Sequence, residues 1–200
     1  MDPTRVNPVM TSYTSFAELS THQVRGRDFE IDVIRRPESG IAVIAPHGGG
    51  IENGTSEIAR AIAADRFNLY LFEGLRSSGN YAALHLTSHF FDEPECLALI
   101  ARCPVVIAIH GCKGVEHQVL LGGRHRQLAD RLSEALRAAN VANKTDGHPF
   151  PGVEPRNICN RGPTGRGVQL EITTALRASP AALGLAAVVR ETLARADGGL

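Results

Sequence analysis

The spacing of apolar positions along this 200-residue chain switches repeatedly between the period of a strand and that of a helix. Residues 29–36 (FEIDVIRR) alternate, which predicts a half-buried strand. Residues 41–45 (IAVIA) are continuously apolar and partly β-branched, which predicts a strand buried on both faces. Helical spacing follows from about Asn53 to Ala64, where Ile58, Ala61 and Ile62 recur, with Asn53 or Thr55 available as a cap. A strand at 67–73 (FNLYLFE) and a short helix at 93–102, opened by Glu93-Pro94, come next. Residues 105–109 (VVIAI) predict the most buried strand, and 117–121 fit a further one. The clearest helix is 125–139, with Leu128, Leu132 and Leu136 on one stripe. Residues 167–172 (GVQLEI) read as a late strand, and 180–195 as a terminal helix that starts at Pro180. The stretch 143–166 is rich in Pro, Gly, Asn and Arg, and internal loops of that length are often functional.

Strands alternating with helices predict an α/β fold with a mixed or mostly parallel central sheet flanked by helices. The length suits a single domain, 1–200, that buries a core without a covalent staple. Its first segment, 1–11, is expected to be flexible. Composition narrows the picture only a little. Apolar residues make up 43% and charged residues 21%, as in ordinary soluble proteins. Formal net charge is zero, so no global field draws in nucleic acid, and none is expected as a partner. No apolar run approaches about 18 residues, so no membrane span is expected. The N-terminus lacks the apolar core of a signal peptide, so a cytoplasmic protein, released if at all by lysis, is the expectation. Cys96, Cys103, Cys112 and Cys159 form no CxxC pair and read as buried small hydrophobes.

Two strand ends carry the candidate chemistry. VIAPHGGGIENGT and VVIAIHGCKG each run an apolar strand straight into a histidine followed by glycine. Ligands of open α/β sheets collect at the carboxyl ends of strands, so His47 and His110 can meet there. Glu52 lies five residues after His47, across a turn expected at Gly48, Gly49 and Gly50. Two imidazoles and a carboxylate form a ligand set for catalytic zinc that leaves room for water. The glycine run lacks the Lys-Ser/Thr ending of a P-loop and the spacing of a dinucleotide fingerprint. Glu171 is the candidate base, because a carboxylate in an apolar strand is costly unless used or paired. Pairing with Arg177 is the structural alternative. Asp92, Glu93 and Glu73 are further carboxylates near strand ends, suited to orienting the histidines or simply to the surface. Asn160-Arg161 in the long loop could grip a substrate carboxylate, with Arg166, Arg124 and Lys113 adding to a positive cleft. His89 is a site-lining candidate and His85 a structural one. Leu84, Leu86 and Thr87 around them look strand-like.

Taken together, PHGGGIENGTSEIA, FEGLRSSGNYAALHLTSHFFDEP, AIHGCKG and NICNRG…GVQLEI resemble the poly-γ-glutamate hydrolases of bacteriophages and their bacterial relatives. The resemblance runs from about residue 12 to the terminal helix. It implies a core similar to the zinc carboxypeptidases, zinc on His47, Glu52 and His110, and Glu171 as general base. It also implies cleavage of γ-glutamyl amide bonds, hence an anionic polymer or peptide as substrate. The Asn-Arg pair of the carboxypeptidases precedes the last histidine ligand, whereas Asn160-Arg161 follows it, so that role carries over weakly. Two other readings stay open. One is a zinc amidase acting on cell-wall peptides or acylated amino acids. The other is a non-enzymatic module that captures an anion.

Overall fold

The computed structural model describes residues 13–197. The segment 1–11, expected to be flexible, lies outside the described residues. Seven strands form one sheet: β1 (Phe29–Ile34), β2 (Ile41–Gly49), β3 (Asn68–Gly74), β4 (Val105–Cys112), β5 (Gln118–Gly123), β6 (Ala142–Lys144) and β7 (Val168–Thr173). Their order is β1-β3-β2-β4-β7-β5-β6. The central strands β3, β2, β4 and β7 run parallel, while β1 and β5 pair antiparallel with β3 and β7. The sheet is therefore mixed, as its pattern of strands and helices predicts. The helices are α1 (Phe16–Ser20), α2 (Thr55–Ala63), α3 (Asn80–Leu84), α4 (Pro94–Ile100), α5 (Arg126–Ala138), α6 (Thr174–Arg177) and α7 (Ala181–Asp197). None of the described helices is long and apolar enough to cross a membrane.

Side-chain alternation divides the core into two layers. Ile41, Val43, Ala45, Leu69, Leu71, Ile107, Ile109, Leu170 and Ile172 face α2, α5 and α7. Ala42, Ile44, Tyr70, Phe72, Val106 and Ala108 face α1, α3 and α4. Leu128, Leu132 and Leu136 of α5 are buried in the first layer, where each such side chain contributes roughly 1.5–3 kcal/mol. All four cysteines are buried and unpaired.

Several local expectations need correction. β2 continues through Pro46 to Gly49, and the turn follows Gly49 instead of occupying Gly48 to Gly50. Neither Asn53 nor Thr55 caps α2; its N-cap is Gly54, at φ +91°. The Thr55 hydroxyl instead donates toward the carbonyls of His47 and Glu52, at 3.1 and 2.8 Å, which ties the turn together. Glu93 caps α4, accepting from the N–H groups of Glu95 and Cys96 at 3.0 and 2.8 Å, and so serves the helix and not the histidines. Residues 84–87 form no strand: α3 ends at Leu84 and an irregular segment follows.

Candidate metal centre

A single extra residue in β2 decides where His47 points. Ala45 stands opposite Leu71 of β3, but Gly48 stands opposite Glu73, so three steps in β2 match two in β3. This bulge includes Pro46, whose missing N–H a regular central strand would not tolerate. Without the bulge, His47 would share the face of Val43 and Ala45. With it, His47 joins the face of Ala42 and Ile44. His110 extends the series Val106, Ala108 on that same face, and Glu171 stands opposite His110 across the parallel β4–β7 pair. Three side chains from three adjacent strand ends therefore meet on one side of the sheet.

The glycines let the strand end pack tightly. A Cβ on Gly49, at φ +57°, would lie 2.7 Å from the Gly74 carbonyl oxygen. One on Gly50 would lie 2.4 Å from Nδ2 of Asn80. The chain then turns, with the Glu52 N–H donating to the His47 carbonyl at 3.0 Å, and the Glu52 carboxylate comes back over the strand. Its Oε2 accepts the Gly111 N–H at 2.7 Å.

His47 is buried, and its Nε2 lies 2.8 Å from the Leu86 carbonyl oxygen. A carbonyl only accepts, so Nε2 carries a proton and Nδ1 is the atom that faces the other groups. That atom lies 3.2 Å from Glu52 Oε1 and 3.1 Å from Nδ1 of buried His110. His110 Nδ1 is 3.9 Å from Glu52 Oε2. Acceptors converging in this way repel one another unless a proton or a cation lies among them. Donors sharing one tetrahedral zinc at about 2.0–2.2 Å stand about 3.3–3.6 Å apart, so these side chains fit a zinc ion.

His85, expected to be structural, also enters the cluster. One donor atom each from His47, Glu52 and His85 lies within 4.8 Å of the others. Its ring, however, stacks on His47, with centroids 4.1 Å apart and planes at 32°, and on Tyr81 at 4.3 Å and 26°. Lone pairs lie in the ring plane, so two rings laid face over face, even at a tilt of 32°, aim largely past a common point. The His47 and His110 rings stand at 58° and bring their Nδ1 atoms together. Ring geometry thus favours His110 over His85 as the partner of His47 and Glu52.

Electrostatics separates the two carboxylates. Burial would raise Glu52, but His47 and His110 and the Gly111 N–H more than offset it and hold its pKa at about 2. Burial, with repulsion from Glu52, pushes Glu171 up to about 8. Burial would lower His47, yet the Glu52 carboxylate raises it overall. Burial and the neighbouring His47 take His110 down to about 4 and His85 to about 3. Arg177 does not pair with Glu171. Its Nε donates to the Ile172 carbonyl at 2.9 Å and its Nη1 to the Asn53 carbonyl, so it knits strand β7 to the turn after β2.

A cleft of about 850 Å³ opens over these groups. One wall is the long loop, through Pro149–Glu154 and Asn157. His89 lines it, as expected. Asn160 and Arg161 do not. The Asn160 amide is buried and donates to the carbonyls of Gly152 and Glu154 while accepting from the N–H groups of Arg124 and Gly167. Arg161 donates to the Phe91 carbonyl at 3.2 Å and borders a separate side pocket. Asp92 accepts the Phe16 N–H, and Glu73 pairs with Arg60, so neither orients a histidine. Nor is the cleft positive: among the described residues Lys113 is its one lysine or arginine, against Glu52, Glu154 and Glu171. Asn157 and Gln169 were not singled out in the sequence. Asn157 Nδ2 donates to Gln169 Oε1 at 2.8 Å, and Gln169 Nε2 lies 3.5 Å from Glu171 Oε1. The signal for Gln169 was its i, i+2 spacing from Glu171, which puts both on one face of a strand.

The chain is similar to several known proteins. Residues 13–180 match the family model described as poly-gamma-glutamate hydrolase. YndL of Bacillus subtilis (strain 168) is 41% identical over 84% of this chain and 66% of its own length. The SPbeta prophage-derived YoqZ of the same organism is 37% identical over 82% of this chain and 60% of its own. This chain thus spans about two thirds or less of these two relatives. Among solved structures, a bacteriophage poly-gamma-glutamate hydrolase superposes with a TM-score of 0.88 at 30% identity, covering 94% of this chain and 99% of that one. A zinc-free structure of YndL gives 0.85 at 33% identity, covering 92% and 98%. An N-formylglutamate amidohydrolase from Ralstonia eutropha, at 0.57 and 13% identity over 86% and 98%, shares the fold. With a family match over most of its length and relatives this similar, the chain belongs to the poly-gamma-glutamate hydrolase family.

Proposed function

We propose that this protein is a zinc-dependent hydrolase of γ-glutamyl amide bonds, acting on poly-γ-glutamate, with zinc on His47, Glu52 and His110. The observation that carries the reading is the approach of the Nδ1 atoms of His47 and His110 to within 3.1 Å of each other beside the Glu52 carboxylate. Membership of the poly-gamma-glutamate hydrolase family supports the choice of bond, and the zinc-free state named for YndL supports the choice of metal. Zinc, when bound, supplies Lewis acidity and the acidification of a water molecule.

The chain's own residues do the rest. Leu86 holds the His47 proton at Nε2 and so keeps Nδ1 free. The Gly111 N–H fixes one oxygen of Glu52. The Glu171 carboxylate takes a proton from the attacking water and returns it to the leaving nitrogen. Without metal, burial pushes its pKa up to about 8, and a bound dication would favour the ionised form that accepts the proton. Gln169 and Asn157 hold Glu171 in place from the side.

The test is zinc content and cleavage of poly-γ-glutamate, followed by the fall in polymer length. Wild-type protein should carry about one zinc per chain and shorten the polymer. His47→Ala and His110→Ala should lose both, while His85→Ala should keep its zinc. Retention of zinc by His110→Ala together with its loss from His85→Ala would hand the third ligand to His85. A zinc-loaded protein that cleaves acylated amino acids and leaves the polymer intact would overturn the substrate.

A further inference from the structure

A polyanionic substrate poses a problem for this cleft. Each residue of poly-γ-glutamate keeps a free α-carboxylate, yet the cleft is lined by three carboxylates and one lysine. The compensating charge lies next door. A side pocket of about 260 Å³ is bordered by Thr14, His89, Phe90, Asp92, Pro155, Arg156 and Arg161. His89 lines both spaces, and the loop runs from Glu154 in the cleft wall directly to Pro155 and Arg156 in the pocket wall. The cleft and the pocket are therefore neighbours, with His89 between them.

We propose that this pocket is a carboxylate subsite for the substrate chain beyond the scissile bond, with Arg156 and Arg161 as its cations and His89 as the shared wall. The proposal rests on the reading of the cleft as a poly-γ-glutamate hydrolase. Both arginines are exposed, and the ion pairs among the described residues engage Arg25, Arg27, Arg60 and Arg76 instead. The Arg156 guanidinium lies 5.8 Å from the centre of the Phe90 ring, which steadies it without using its charge. One Arg161 nitrogen is spent on the Phe91 carbonyl, which leaves the rest of a planar fork for a carboxylate. Asp92 opposes them, but its Oδ1 already accepts the Phe16 N–H at 2.5 Å. The pocket keeps an excess of positive charge.

The experiment uses the zinc-loaded protein and compares wild type with an Arg156→Ala/Arg161→Ala double variant. Binding is measured on a Glu171→Gln background, so that substrate survives. Long poly-γ-glutamate and a γ-glutamyl dimer are the probes. The double variant should bind the polymer about five- to tenfold more weakly, as expected for two partly exposed charge pairs. The dimer should bind equally to both, and the salt dependence of polymer binding should flatten in the variant. In the active background the loss should fall on KM for the polymer, with zinc content unchanged. Polymer binding and KM within twofold of wild type would overturn the subsite. So would an equal loss for the dimer. A wild-type protein that binds polymer without cleaving it would sink the hydrolase reading and leave the subsite to be judged on binding alone.

Discussion

Replacing Glu171 with glutamine should stabilise the zinc-free protein at alkaline pH while removing turnover. Glu171 is buried beside Glu52, and its pKa rises from 4.5 to about 8. A raised folded-state pKa means that the native protein binds this proton more tightly than the unfolded chain. Stability then falls as pH rises through the window between about 4.5 and about 8, and the full penalty applies above it. At about 1.4 kcal/mol per unit, the shift corresponds to about 4–5 kcal/mol, a large fraction of a typical domain's stability. Glutamine has nearly the same shape, carries no charge to desolvate, and keeps an oxygen for the Gln169 amide. Urea unfolding of chelator-treated wild type and Glu171→Gln at pH 5, 7 and 9 measures the difference. The two should nearly coincide at pH 5, and the variant should lead by several kcal/mol at pH 9. Added zinc should shrink the gap, because a nearby dication stabilises the carboxylate. Parallel stability curves across that range would refute the reasoning. The comparison also puts a magnitude on the cost that a buried carboxylate imposes on the fold.

Two further predictions concern the scaffold. Gly49→Ala should cost about 2–4 kcal/mol in urea unfolding, from a left-handed φ combined with a Cβ against backbone atoms of Gly74, and should lower zinc occupancy. A loss under about 1 kcal/mol would mean that the strand end yields easily. Asn160→Ala should cost about 2–4 kcal/mol, because its amide serves four backbone groups: Gly152 and Glu154 in the loop, Arg124 just after β5 and Gly167 just before β7. If it instead left stability unchanged and raised only KM, Asn160 would belong to substrate binding after all.

The strands and helices were legible because their apolar period reports burial directly. β3, β4, α5, β7 and α7 fall within two or three residues of where the pattern puts them. The pairing of two strand-to-histidine junctions was equally legible, since a buried strand running into His-Gly is a local signal. What the chain could not reveal by itself was facing and distance. Strict alternation from Ile41 would turn His47 toward Val43 and Ala45, away from His110. Only the register of β2 against β3 exposes the bulge that brings it back. The same limit applies to Asn160 and Arg161. Their residue types suit a carboxylate, but the path of the long loop spends the Asn160 amide on backbone and turns Arg161 into a neighbouring pocket. His85 lies outside regular structure, so no period reports its stacking on His47. Local pattern determines which residues carry chemistry, because it reflects burial and backbone preference along a few residues. Tertiary structure decides which of them meet, because strand register and loop path depend on contacts between segments far apart in the chain.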